Sequence, residues 1–109
     1  MVRQGEIVKI NLNPKKGHEQ QGYRPYICLS HNTISKISKI AILAPISNTE
    51  RNYPFYVSLD NTKTTGKVLL DQLVAVDYNA RKYVSVEKVN EDLLDELLMI
   101  TRTIFQKSN

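Results

Sequence analysis

Val8-Lys9-Ile10-Asn11-Leu12 places an apolar side chain at every second residue, with a cation and an amide between them. Successive side chains of an extended chain point to opposite faces, so this pattern predicts a strand with one buried and one wet face. Further strands are expected over residues 25–30, 40–46, 53–59, 67–76 and, more briefly, 83–86. The stretches between them, 13–22, 30–39, 47–52, 60–66 and 77–82, are rich in turn formers. Ile34 and Ile37 suggest a helical turn inside the second of these.

The last segment changes period. Leu93, Leu97, Ile100 and Ile104 fall on one helical stripe, flanked by Leu94, Leu98 and Phe105. Asn90 is placed to cap this helix, Glu91 and Asp92 favour its positive end, and Val89 is placed to staple onto Leu94. Five or six short strands followed by one helix predict a small, strongly bent antiparallel sheet or barrel, with the helix covering an open side.

The 109 residues suit a single domain spanning 1–109, with 41% hydrophobic and 24% charged residues. Apolar runs are too short to cross a bilayer, and the N-terminus lacks a signal-like apolar region, so a cytoplasmic protein with no membrane contact is expected. Cys28 stands alone, while His18 and His31 lack companions at ligand spacing, so neither a disulfide framework nor a metal site is expected. The net charge of +4 is unevenly spread. Residues 1–86 hold twelve Lys and Arg against six Asp and Glu, a surplus of six; residues 87–109 hold three against five. The larger part would attract a polyanion.

Chemistry is most concentrated in Gly17-His18-Glu19-Gln20-Gln21-Gly22-Tyr23-Arg24-Pro25, where glycines free a sharp loop and Pro25 fixes entry into a strand. Arg24 thus stands at a strand mouth as a permanent, forked donor suited to phosphate oxygens. Its structural alternative is an ion pair with Glu19 or a C-terminal acid. Ser47 ends an apolar strand, where its hydroxyl serves either as a ligand to phosphate or as a strand-end cap. Asp71 lies in Leu69-Leu70-Asp71-Gln72-Leu73, where a carboxylate within an apolar strand must be paired or hydrogen-bonded. Phe55 offers a stacking face for a base or a core side chain, and Arg81 and Lys82 offer phosphate contacts or a solvated turn.

Several motifs resemble the MazF/PemK/Kid toxins in order and spacing: Gly5-Glu6-Ile7, Leu12-Asn13-Pro14, the loop ending in Arg24-Pro25, Pro45-Ile46-Ser47, Tyr53-Pro54-Phe55-Tyr56-Val57, and Thr65-Gly66-Lys67-Val68-Leu69-Leu70-Asp71-Gln72. That resemblance implies an SH3-like barrel of the PemK/CcdB type with a C-terminal helix, usually a homodimer. It also implies a sequence-specific, metal-independent endoribonuclease acting on single-stranded RNA without a cofactor. The residue matching Arg24 is regarded as catalytic in that family, Ser47 stands where threonine is common, and Asp71 matches a proposed base. Kid-like toxins carry an arginine two residues before that aspartate; here the position is Leu69, as in MazF-like members. His18, Glu19, Gln20, Asn48, Phe55, Gln72 and Arg81 are implied substrate contacts. A separate antitoxin with an acidic, disordered segment is the implied inhibitor, and DNA is met only through the toxin–antitoxin complex. Two alternatives are a CcdB-like gyrase poison, disfavoured because the chain has no tryptophan, and an inactive RNA-binding barrel.

Overall fold

A computed structural model describes residues 1–12 and 22–109. Its seven strands are β1 (Glu6–Asn11), β2 (Tyr23–Cys28), β3 (Ile40–Ser47), β4 (Tyr56–Ser58), β5 (Lys67–Leu69), β6 (Val74–Asp77) and β7 (Tyr83–Lys88). Two helices accompany them, α1 (Asn32–Ser38) and α2 (Glu91–Ile104). The strands form one antiparallel sheet in the order β4-β5-β3-β2-β1-β7, with β6 also pairing β3. The bent, mainly β architecture and its C-terminal helix are those the alternating and helical periods imply.

Alternation along β1 and β2 feeds two cores. Ile7 and Ile27 enter one with Ala44, Ile46, Val68, Leu70 and the inner face of α2, Leu93, Leu94 and Leu97. Val8, Ile10 and Cys28 enter the other with Ala41, Leu43, Val76 and Tyr78. Asn90 caps α2 by accepting a hydrogen bond from Leu93 N at 2.8 Å, satisfying a donor that the first turn leaves free. Val89 and Leu94 lie in the same buried cluster, consistent with the staple.

Two expected strands are cut short. Residues 53–56 form a turn, closed by Tyr56 N donating to Tyr53 O at 2.9 Å. Pro54 suits that turn because its fixed φ matches the first central position, so the strand begins only at Tyr56. Residues 67–76 split into β5 and β6. On β3, Ile46 pairs Val68 and Leu43 pairs Val74, so three steps on one strand face six on the other. The surplus loops out as a turn at residues 70–71, with Gln72 N donating to Leu69 O at 3.2 Å. Asp71 is therefore exposed at the sheet edge rather than set in an apolar strand, and needs no buried partner.

Helix α1 covers the second core. Tyr78 donates its hydroxyl to Ser35 O at 3.0 Å, while Ser35 Oγ is fully buried with no hydrogen-bond partner among the described residues. A buried hydroxyl left unpaired costs about 1–3 kcal/mol. Ser35→Ala is accordingly expected to raise the urea midpoint, with an unchanged denaturant slope; a lower midpoint would contradict this account of the site.

Candidate active site at one end of the sheet

The antiparallel register brings several strand termini to one end of the sheet. Asn11 closes β1 opposite Tyr23, Tyr83 opens β7 opposite Ile10, and Ser47 closes β3 opposite Lys67. On β2 and β3, Tyr26 pairs Pro45. Two residues past that pair lie Arg24 on β2, opposite Ile10 of β1, and Ser47 on β3, opposite Lys67 of β5. Side chains two apart on a strand share a face, so Arg24 lies on the face of Tyr26 and Ser47 on that of Pro45.

Arg24 is exposed and Ser47 half-buried. No carboxylate among the described residues pairs with the Arg24 guanidinium. Burial pushes the Tyr26 phenol above its ordinary value, and the charge of Arg24 opposes that rise. Lys67, Arg81 and Lys82 gather at the same end through the β3–β5 register and the loop into β7. Arg81 is partly committed, since its Nη1 donates to Asn11 O at 2.9 Å and ties that loop to the end of β1.

The loop from β4 to β5 closes over Ser47. A Cβ on Gly66 would lie 2.7 Å from Ser47 O and 3.2 Å from Asn48 Oδ1, and φ is +126° there, so only glycine fits without strain. Thr65 Oγ1 and Asn48 Oδ1 lie 3.3 Å apart in a hydrogen bond. The same loop is held from beneath by Glu87. Its carboxylate accepts Lys63 N at 3.0 Å, Thr64 N at 2.8 Å and Thr64 Oγ1 at 2.8 Å. Nothing in the sequence marks this link, because it joins residues more than twenty positions apart.

Partial burial works to raise the Glu87 pKa, but the hydrogen bonds from Lys63 and Thr64 lower it further, and the net value falls below the ordinary carboxylate. A depressed folded pKa adds stability that is full above the unfolded value and is lost as pH falls through the folded one. Glu87→Gln is expected to lower neutral-pH stability and to flatten the acid limb of the stability–pH curve. Urea unfolding from pH 7 downward measures both; a variant with the wild-type acid limb would contradict the assignment.

Of the residues singled out from sequence, Arg24, Ser47, Asn48 and Arg81 meet at this end. Phe55 is half-buried against the main core, and its ring lies 5.6 Å from Tyr53, edge to face. Gln72 Nε2 donates to Tyr56 Oη at 3.1 Å. Asp71 and Gln72 stand in the exposed turn between β5 and β6. His18, Glu19 and Gln20 lie outside the described residues. Among the described residues no three His, Cys, Asp or Glu side chains cluster as metal donors, and no helix is long and apolar enough to cross a membrane.

Fold and site together define a small antiparallel barrel with a C-terminal helix and a cationic, hydroxyl-bearing strand end. The chain belongs to the PemK-like, MazF-like toxins of type II toxin–antitoxin systems, whose family model matches residues 3–105. It is 34% identical over 108 residues to the endoribonuclease PemK of Escherichia coli, covering 94% of this chain and 81% of that protein. With the endoribonuclease toxin MazF of Escherichia coli K12 it shares 30% identity over 77 residues, 71% of this chain and 69% of the relative. Among solved structures, MazF of Deinococcus radiodurans superposes with a TM-score of 0.79 at 27% identity, covering 94% of each chain. A MazE–MazF structure from the same organism gives a TM-score of 0.84 at 24% identity, covering 99% of this chain and 100% of that one, a likeness of fold.

Proposed function

We propose that this chain is a toxin endoribonuclease that cuts single-stranded RNA in a sequence-dependent way and without a metal ion. The coarse class, a toxin endoribonuclease, rests on family membership and on relatives that are endoribonucleases. The observation that supports the finer reaction is an exposed Arg24 and a half-buried Ser47, each two residues past the last β2–β3 pair, at a basic strand end. RNA supplies its own nucleophile: the 2′-oxygen attacks the adjacent phosphorus, the P–O5′ bond breaks, and a 2′,3′-cyclic phosphate and a 5′-hydroxyl remain. Negative charge grows on the phosphoryl oxygens during that step. Arg24, fixed by its strand, meets it as a preorganised cation, and Ser47 hydrogen-bonds a phosphate oxygen.

Guanidinium does not give up its proton near neutrality, so Arg24 is not the base. A carboxylate takes the 2′-proton, Asp71 or the weaker candidate Glu19, and water gives a proton to the leaving 5′-oxygen. Bases must be unpaired for the 2′-oxygen to swing in line and for their edges to be read, hence the single-stranded substrate.

The proposed inhibitor is a separate antitoxin whose acidic, disordered segment folds across the basic strand end. It would bring the toxin to DNA only within the complex. We also read the chain as one domain, cytoplasmic, and a homodimer. An apolar cavity of 410 Å³ between β6 and the end of α2, lined by Leu73, Val74, Leu98 and Phe105, supports the dimer. Phe105, which lines the cavity, is 71% exposed, an apolar surface of the kind that protein contacts cover. Sedimentation would show a monomer for Phe105→Asp if this face is the contact.

The reaction is tested by incubating a long single-stranded RNA with the protein in EDTA and sequencing the fragment ends. Discrete cuts with cyclic-phosphate and 5′-hydroxyl ends are expected. Binding without cutting would point to an inactive RNA-binding barrel instead.

A further inference from the structure

Three residues beside this site, none of them singled out from sequence, build a layered cluster. The Arg51 guanidinium carbon lies 4.8 Å from the centre of the Tyr53 ring and 5.8 Å from that of Tyr56. The two tyrosines meet edge to face at 4.9 Å, and Tyr53 meets the core-anchored Phe55 in the same way. No carboxylate among the described residues pairs with Arg51, which is exposed, while the tyrosines are half-buried beneath it. The cluster is also fastened to the strand end. Lys67, opposite Ser47 in the β3–β5 pairing, donates its Nζ to Arg51 O at 2.8 Å, and Gln72 holds the Tyr56 hydroxyl.

An exposed guanidinium over an aromatic ring leaves part of its planar surface open to solvent. Such planes, and tyrosine rings themselves, are what unpaired nucleobases stack on. Arg51 follows Ser47 by four residues, a reach of at most about 14 Å of extended chain.

We propose that Arg51, Tyr53 and Tyr56 form a stacking subsite for one unpaired base of the RNA next to the scissile phosphate, an inference that rests on the proposed endoribonuclease function. Arg51 supplies the stacking plane, Tyr53 backs it, and Gln72 stands at the rim with amide groups left for the base edge. The subsite contributes to substrate affinity and register, and the bond-breaking step remains at Arg24 and Ser47.

The test is an abasic walk. An RNA oligonucleotide carrying one cleavage site is made with a single abasic nucleotide moved through each neighbouring position. KM and kcat are measured for the wild type, Arg51→Ala, Arg51→Lys, Tyr53→Ala and Tyr53→Phe. Loss of one stacked base is expected to raise KM about 5- to 150-fold. The wild type should show that loss at one position, and Arg51→Ala and Tyr53→Ala should show it on the intact RNA with kcat nearly unchanged. In those two variants the abasic nucleotide at that position should add nothing, because the interaction is already gone. Tyr53→Phe should restore the wild-type profile and Arg51→Lys should not, since an ammonium has the charge without the plane. Arg51 is exposed, so its variants test the subsite without disturbing the fold. A wild-type abasic profile retained in Arg51→Ala would overturn the subsite and leave the nuclease standing. No cleavage by the wild type would overturn the nuclease and the subsite together.

Discussion

Arg24→Ala is expected to lower the single-turnover cleavage rate by about 10²–10³-fold, the loss typical of one preorganised donor aimed at developing charge. The side chain is exposed and makes no hydrogen bond to another described residue, so the fold should survive its removal. Thermal unfolding of the variant should match the wild type within about 0.5 kcal/mol, as surface substitutions usually do. Arg24→Lys should recover only part of the rate, because an ammonium cannot span two phosphoryl oxygens as a guanidinium fork does. Weaker RNA binding with an unchanged rate for bound substrate would instead make Arg24 a simple docking cation. Quench-flow cleavage at saturating protein separates the two.

The largest effect on stability is expected at Leu97. It is fully buried on the inner face of α2, in the cluster that includes Ile7, Ile27 and Leu93. Leu97→Ala removes three carbons from a packed site and is expected to cost about 2–5 kcal/mol. Against a total of about 5–15 kcal/mol for a domain of ordinary stability, that is a large share. The urea midpoint should drop with the denaturant slope unchanged. A drop below 1 kcal/mol would mean that α2 does not close the main core, and the barrel would need another lid.

What the sequence reveals and what it hides divide along a physical line. The period-two pattern around Val8 and the helical stripe from Leu93 to Ile104 are local signals, and each element forms where its period says. Position 71 shows the opposite case. A mostly apolar run interrupted only by Asp71 and Gln72 reads as one strand, but pairing with β3 leaves three surplus residues, and the carboxylate escapes to solvent in the resulting turn. Tyr53 reads as strand because aromatics favour strands, yet Pro54 makes it the start of a turn. The Arg24–Ser47 relation, the Glu87 clamp and the Arg51 platform depend on register and on distant contacts, which no local pattern carries. Three aromatics within residues 53–56, beside Arg51, were the one hint of the platform. The expectations for His18, Glu19 and Gln20 fall in residues 13–21, outside those described.

The central claim is that Arg24 and Ser47 act on a phosphate attacked by its own neighbouring 2′-oxygen. The most direct measurement is cleavage of an RNA in which only the nucleotide 5′ to the cut carries 2′-deoxyribose, compared with the all-ribose strand at equal occupancy. The account predicts that the substituted strand binds with similar affinity and is not cut at that bond. Cutting there, with any set of ends, would show that the nucleophile comes from elsewhere and would contradict the mechanism.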